Sequence, residues 1–233
     1  MALNDKVSFT WVGHGTWLAT SAAGKKLVLD PWVMNNPVAP EHLKNPDRVD
    51  IMAVTHGHFD HIHDAVELAR KHSCKVLAIP ETAGWLGKKG VENIIGFNKG
   101  GTVDVDGVKI TLTHAFHSGS APDGSYAGEP SGLIVNTEDD KTLYFAGDTN
   151  VFGDMQLIGR IYEPDVAVLP IGDHFTMGPK EAAVAVELLG VKRVIPCHWG
   201  TFGLLTGTPE EFEQLAPSGV TIETMQPGET VAV

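Results

Sequence analysis

The stretch Ile51-Met52-Ala53-Val54-Thr55-His56-Gly57-His58-Phe59-Asp60-His61 decides the reading of this chain. Five residues of apolar, strand-like character run directly into a turn that carries four metal-ligand side chains within six positions. Gly57 lets the backbone bend, and His56 and His58, two apart in an extended turn, project to the same side. Asp60 and His61 come round at the bend towards a helix over 64–72, for which Asp64 is the expected N-cap. A single segment of this kind can offer ligands to two adjacent ions. Imidazole with carboxylate suits zinc, iron or manganese rather than the oxygen-preferring magnesium and calcium. The bland alternative is a histidine-rich exposed turn or a set of core histidines. Burying this many titratable groups without a cation leaves polar desolvation unmet, at roughly 2 to 7 kcal/mol per group.

Outward from this motif, short apolar runs bounded by Gly, Asp and Pro predict strands at 7–12, 26–30, 49–55, 75–79, 102–105, 109–113, 133–136, 142–145, 166–170 and 193–197. The pairs Asp106-Gly107 and Asp139-Asp140 read as hairpin turns. Pro179 at a first helical position and Gly190 at the stop predict a helix over 179–189. A capping box from Thr208 to Glu211 starts a short helix expected to turn Phe212 and Leu215 inward. Closing edge strands are expected at 220–225 and 230–233. Residues 118–132, rich in Gly, Pro and Ser, read as a mobile surface loop able to close over a site. No linker or fixed-period repeat divides the chain, so 1–233 is read as one α/β domain with helices outside its strands.

Composition narrows the classes. The 233 residues carry 17 Lys plus Arg against 29 Asp plus Glu, a net charge of −12 that disfavours polyanion binding. With 42% hydrophobic and 20% charged residues, the chain has ample core material, which excludes disordered and fibrous classes. The opening residues show no basic stretch leading into an apolar run and no later segment is long enough to span a bilayer, so a cytoplasmic protein is expected. Cys74 and Cys197 imply no disulfide framework. Cys197 should face the core while its neighbour His198 faces the other way.

The H-x-H-x-D-H segment resembles the signature of the metallo-β-lactamase superfamily, and the remaining family positions are filled in order. Ala115-Phe116-His117-Ser118 matches the third histidine, Tyr144-Phe145-Ala146-Gly147-Asp148-Thr149 the bridging aspartate, and Ile195-Pro196-Cys197-His198-Trp199-Gly200 the last histidine. Trp11-Val12-Gly13-His14-Gly15-Thr16, Leu29-Asp30-Pro31-Trp32 and the stretch from Ile171 to Pro179 are similar to a widespread branch of metal-dependent hydrolases. That branch is related to ascorbate-phosphate lactonases and N-acyl phosphatidylethanolamine phosphodiesterases.

The resemblance spans nearly the whole chain and implies a four-layer αββα sandwich, α/β in class and α+β in some schemes. It assigns His56, His58 and His117 to one metal, Asp60, His61 and His198 to the other, and Asp148 as the bridge. His58 stands where flavin-linked di-iron relatives carry Glu, which points to hydrolysis over electron transfer. The implied cofactors are two divalent ions, zinc first, with Mn2+, Fe2+ or Co2+ as alternatives. The implied activity is attack of a metal-bridging hydroxide on a phosphodiester, lactone or thioester.

Around this centre, Asp60, Asp148 and His174 are the expected catalytic residues, with His174 as substrate contact or proton donor. Asp30 is expected to orient a metal-bound histidine. His14 is either a donor beside the metals or a turn histidine satisfied by backbone, and Asp173 with His174 is either functional or a structural loop pair. Phe175, Met177, Phe202 and Tyr126 are expected to line a pocket. The expected partner is a small-molecule substrate, with no nucleic acid and no membrane span, and homo-oligomerisation is compatible with the sequence. Two further hypotheses stand beside the hydrolase. One is a nuclease of the same fold, weakened by the −12 charge and the lack of a Lys- and Arg-rich arm. The other is a metal-binding or sensing module without turnover.

Overall fold

A computed structural model describes residues 7–233. The reading of the chain's opening therefore lies partly outside the described residues. Two seven-stranded mixed sheets pack face to face. The first holds β1 (Ser8–Gly13), β2 (Thr16–Thr20), β3 (Lys26–Leu29), β4 (Ile51–Ala53), β5 (Lys75–Ala78), β6 (Ile94–Gly96) and β14 (Thr230–Ala232), in the order β14-β1-β2-β3-β4-β5-β6. The second holds β7 (Thr102–Val105), β8 (Val108–His114), β9 (Ser131–Asn136), β10 (Thr142–Phe145), β11 (Val166–Pro170), β12 (Arg193–Cys197) and β13 (Thr221–Ile222), in the order β13-β12-β11-β10-β9-β8-β7. The predicted closing strands do lie at sheet edges, the first shortened to two residues.

Strand periodicity divides the apolar residues among three cores. In β4, Ile51 and Ala53 join the core between the sheets with Phe9, Trp17, Ile110, Leu133 and Phe145. Met52, between them in sequence, points the opposite way, into a core roofed by α1 (Phe59–Ile62), α2 (Ala65–His72) and α3 (Pro80–Lys88). The outer face of the second sheet is covered in the same way by α4 (Met155–Tyr162), α5 (Pro179–Leu189) and α6 (Pro209–Leu215), through Tyr144, Leu169, Ala182, Val186 and Phe212. Three cores between four layers make the αββα sandwich. Gly159 permits the close pass of α4 over the end of α5, since a Cβ there would lie 2.0 Å from the Leu189 carbonyl oxygen.

Several local expectations are corrected. Leu215 is 45% exposed, because α6 ends there and only Phe212 faces the core. Asp64 precedes α2 without capping it through its side chain. Its carboxylate instead accepts the Val33 and Met34 amides at 2.6 and 2.9 Å, tying the 30–34 loop to the helix layer. The 118–132 segment is not wholly surface: Ala121 and Ala127 are buried, and Thr82 Oγ1 donates to the Ala127 carbonyl at 2.6 Å. Its last two residues already belong to β9. No described helix is long and apolar enough to cross a membrane.

Topology sets where the site falls. In the first sheet β1, β3 and β4 share one direction, because β1 and β3 are both antiparallel to β2 and β3 is parallel to β4. By the same reasoning β8, β10 and β12 share a direction in the second sheet. His14, Asp30, His56, His117, Asp148 and His198 each follow the C-terminal end of one of these strands. In open α/β sheets, ligands gather at such ends.

Candidate metal centre

The strand ends bring seven side chains to a common focus. Nδ1 of His58 lies 3.1 Å from Nε2 of His56 and 3.2 Å from Nε2 of His117, so three ring nitrogens face one another. Asp148 stands between this group and the next. Its Oδ2 is 3.9 Å from His56 Nε2, 3.6 Å from His117 Nε2 and 3.2 Å from His198 Nε2, while its Oδ1 is 3.3 Å from His61 Nε2. Asp60 Oδ2 lies 3.8 Å from His61 Nε2 and 3.7 Å from His198 Nε2. Ligand-type atoms of His56, His58 and His117, of His56, His61 and Asp148, and of His14, Asp60, His61 and His198 each cluster within 4.8 Å.

These residues fit a cation. Among the described residues, Nε2 of His61 and both ring nitrogens of His198 are buried with no hydrogen-bond partner. Buried polar atoms ordinarily find partners. Lone pairs aimed at one another call for a positive charge between them.

Asp30 anchors the tautomers on both sides. Its Oδ1 accepts the Thr55 amide at 2.7 Å, and its Oδ2 accepts Thr55 Oγ1 at 2.7 Å and His61 Nδ1 at 2.7 Å. A carboxylate is acceptor-only, so His61 carries its proton on Nδ1 and leaves Nε2 free. The single Thr55 hydroxyl proton is committed to Asp30, so Thr55 Oγ1 accepts from His56 Nδ1 at 2.9 Å, and His56 Nε2 is free as well. Thr55 escaped the sequence reading, although a hydroxyl at the end of an apolar strand and next to the first histidine was the available signal. Gly15 is required for the packing of His61, because a Cβ there would meet His61 Cε1 at 2.6 Å.

His14 engages side chains through both ring nitrogens. Nε2 donates to Asp60 Oδ2 at 2.8 Å, and Nδ1 accepts from Thr201 Oγ1 at 3.0 Å. Its ring packs 3.7 Å, centroid to centroid, from that of His198, and its backbone carbonyl accepts the His198 amide at 3.1 Å. His14, Asp30 and His198 all adopt the left-handed region, with φ of 57°, 49° and 53°. Such conformations are uncommon outside glycine and cluster at functional sites.

The protonation pattern follows from burial set against charge. Burial pushes His56, His58 and His117 down, and pushes His14 down to about 4 with help from His198. Burial also opposes charging of His61 and His198, but Asp148 overcomes it in both, with Asp30 and Asp60 assisting at His61. His61 is thereby raised well above its ordinary value and His198 to about 9. Against the same burial, His198 and His61 hold Asp148 far below the carboxylate range, and His61 and His14 do so for Asp60. Cys197 lies in the core between the sheets, its thiol pushed up by burial and then by Asp148 and Asp30.

A cavity of about 560 Å³ opens onto this centre, with His58, Asp60, His117 and Asp148 at its base. Phe59, Phe175 and Phe202 line it, together with Ser118, Ser120, Ala121, Pro122 and Gly124 of the loop after β8. The loop was expected to close over the site, whereas Phe59 in the wall was not anticipated. Met177 is buried in the outer core of the second sheet, and Tyr126, 68% exposed, is not among the lining residues. His174 is exposed and absent from the lining, although Phe175 next to it is present. Its amide donates to Asp173 Oδ1 at 2.7 Å, and Asp173 Oδ2 accepts from Thr206 at 3.4 Å, so the pair is held as a loop structure beside the cavity.

A family profile for the beta-lactamase superfamily domain matches residues 25–199. A UPF0173 metal-dependent hydrolase of Koribacter versatilis is 49% identical over 227 residues, covering 96% of this chain and 97% of its own. One from Rubrobacter xylanophilus is also 49% identical over 227 residues, covering 94% of both. Among solved structures, Igni18, a metallo hydrolase from the hyperthermophilic archaeon Ignicoccus hospitalis, superposes with a TM-score of 0.87 at 36% identity, covering 98% of both chains. The chain belongs to the beta-lactamase superfamily and is one of its metal-dependent hydrolases.

Proposed function

We propose that the centre holds two divalent cations, zinc in the first place, and that the protein hydrolyses an ester-type bond of a small-molecule substrate: a phosphodiester, a lactone or a thioester. His56, His58 and His117 would hold one cation, Asp60, His61 and His198 the other, with Asp148 shared between them. The observation that carries this reading is Asp148 lying within 3.2 to 3.9 Å of ring nitrogens from both groups, of which those of His61 and His198 are buried with no hydrogen-bond partner. Bound there, a cation pair supplies Lewis acidity and brings water towards a pKa of about 7.

The chain's own residues prepare the site. Asp30, directly and through Thr55, keeps the Nε2 lone pairs of His61 and His56 free. Neutral His14 donates to one oxygen of Asp60 and so fixes the carboxylate's rotation. Phe59, Phe175 and Phe202 add apolar surface to the cavity beside the centre. A cavity of about 560 Å³ suits a small molecule.

The test pairs metal analysis with turnover of chromogenic phosphodiesters, lactones and thioesters. Wild type should turn over at least one class. Asp148→Ala should lose more than the roughly 10- to 100-fold expected for an outer partner of a metal ligand. His174→Ala should stay within about threefold of wild type, since the side chain does not reach the cavity. A metal-loaded wild type inactive on every class would favour the binding-module reading.

A further inference from the structure

We propose that the substrate is an uncharged ester, thioester or lactone whose acyl or leaving group is aromatic or otherwise apolar, seated on a wall formed by Phe59, Phe175 and Phe202. This rests on the hydrolase reading above and narrows its substrate class.

The first observation is what the cavity lacks. Among its lining residues there is no Lys or Arg, and the only carboxylates are Asp60 and Asp148 at the metal centre. Proteins recognise phosphate and carboxylate groups mainly through guanidinium and ammonium donors, often bidentate. A substrate with an anionic arm beyond the reacting bond would find no such partner here and would approach a chain of net charge −12.

The second observation is what the cavity presents. Phe59 and Phe175 are about half exposed, at 47% and 49%, on the face opening to the cavity. Phe59 and Phe202 are held from behind by buried Trp32, edge-to-face at 5.6 Å and stacked at 5.9 Å. Phe202 also meets the His14 ring edge-on at 5.2 Å, which ties the wall to the partner of Asp60. Ala121 and Pro122 add apolar surface from the loop after β8. Rigid aromatic surface of this kind, left wet beside a reactive centre, recognises flat apolar groups by stacking and by release of water.

The test compares 4-nitrophenyl phenylacetate with 4-nitrophenyl acetate, with a phenylacetate ester bearing a para-carboxylate, and with bis(4-nitrophenyl) phosphate. Rates on the metal-loaded full-length protein are referred to the uncatalysed rate of each compound. The phenylacetate should exceed the acetate and the carboxylate analogue by at least about tenfold in kcat/KM, the scale of apolar pocket discrimination. Phe202→Ala and the surface variant Phe175→Ala should each remove most of that preference, and Phe175→Lys should shift it towards the carboxylate-bearing ester. Calorimetric binding of 2-phenylacetamide, an unreactive neutral analogue, should weaken in the same variants. A preference for the phosphodiester or the carboxylate-bearing ester, or phenylacetamide binding unchanged by Phe202→Ala and Phe175→Ala, overturns this proposal and leaves the hydrolase reading standing. Failure on all four compounds by protein carrying metal overturns this proposal, and failure on the lactones and thioesters of the first panel as well overturns the hydrolase reading.

Discussion

Replacing Asp30 by asparagine exchanges one carboxylate oxygen for an NH2 group and should be felt at both halves of the metal centre. The carboxylate accepts from the Thr55 amide, the Thr55 hydroxyl and His61 Nδ1, each at 2.7 Å. An amide can satisfy only part of this set. With its NH2 at the Oδ1 position, two donors face each other at the Thr55 amide and a buried backbone group loses its partner. With NH2 at the Oδ2 position, His61 is driven to the Nε2-protonated tautomer, and the Thr55 hydroxyl is freed to turn towards His56. Either way a charge-assisted hydrogen bond worth about 1.5 to 3 kcal/mol is lost. An outer partner of this type governs roughly 10- to 100-fold in metal affinity. Competition with a chelator of known affinity should show that loss, and the metal-free variant should melt below metal-free wild type. Asp30→Ala, which strands all three donors, should cost about 3 kcal/mol or more of stability. Metal affinity within twofold of wild type, together with an unchanged melting temperature for Asp30→Asn, would refute the tautomer argument.

Metal uptake should release protons. In the metal-free protein at pH 7.5, His198, at about 9, and His61, raised well above its ordinary value, are protonated, whereas Asp60 and Asp148 are ionised and His56, His58 and His117 neutral. Filling the site should therefore displace roughly two imidazole protons, read by calorimetry in buffers of different ionisation enthalpy. Absence of a buffer dependence would contradict the assignment. The same raised values stabilise the metal-free fold fully below the ordinary histidine value of 6.5, and that contribution is lost as pH rises through about 9. The melting temperature of stripped protein should fall over that window, and a flat profile would contradict it. Gly15→Ala places a methyl 2.6 Å from His61 Cε1 and should displace that ring, lowering metal affinity by about tenfold and costing roughly 1 to 3 kcal/mol of stability, checked by the same chelator competition and a thermal melt.

Much of the architecture was legible because strand periodicity in the apolar runs is strong. Met52 and its neighbours Ile51 and Ala53 sort to opposite cores as alternation requires. The elements missed have particular causes. β2, Thr-Trp-Leu-Ala-Thr, follows directly on the Gly13 to Gly15 turn, and beyond Thr16, where the quoted motif ends, it was not assigned. α3 contains Gly84 and Gly87, which lower helix propensity, and its register is set by Ala83 and Leu86 packing on the first sheet. α4 carries Gly159 where a helix–helix contact, invisible in one sequence, demands it.

At the site, residues with strong chemical character were found, and the geometry brings His14, Asp30, His56, His58, Asp60, His61, His117, Asp148 and His198 together. Thr55, Thr201 and Phe59 were missed because their residue types carry no such mark and their roles depend on which strand ends meet. Met177 was misplaced for the converse reason. It sits in a motif-like loop, yet its apolar side chain is drawn into the core beneath α5.

The most direct test of the account is the number of metal ions that one chain binds. Protein stripped with chelator, reloaded with zinc and freed of excess should hold two equivalents by inductively coupled plasma mass spectrometry. Asp148→Ala, which removes the carboxylate lying between the two histidine groups, should hold one or fewer. A wild type that saturates at a single ion, or an Asp148→Ala variant that still takes two, would contradict the shared-aspartate centre on which the proposed hydrolysis depends.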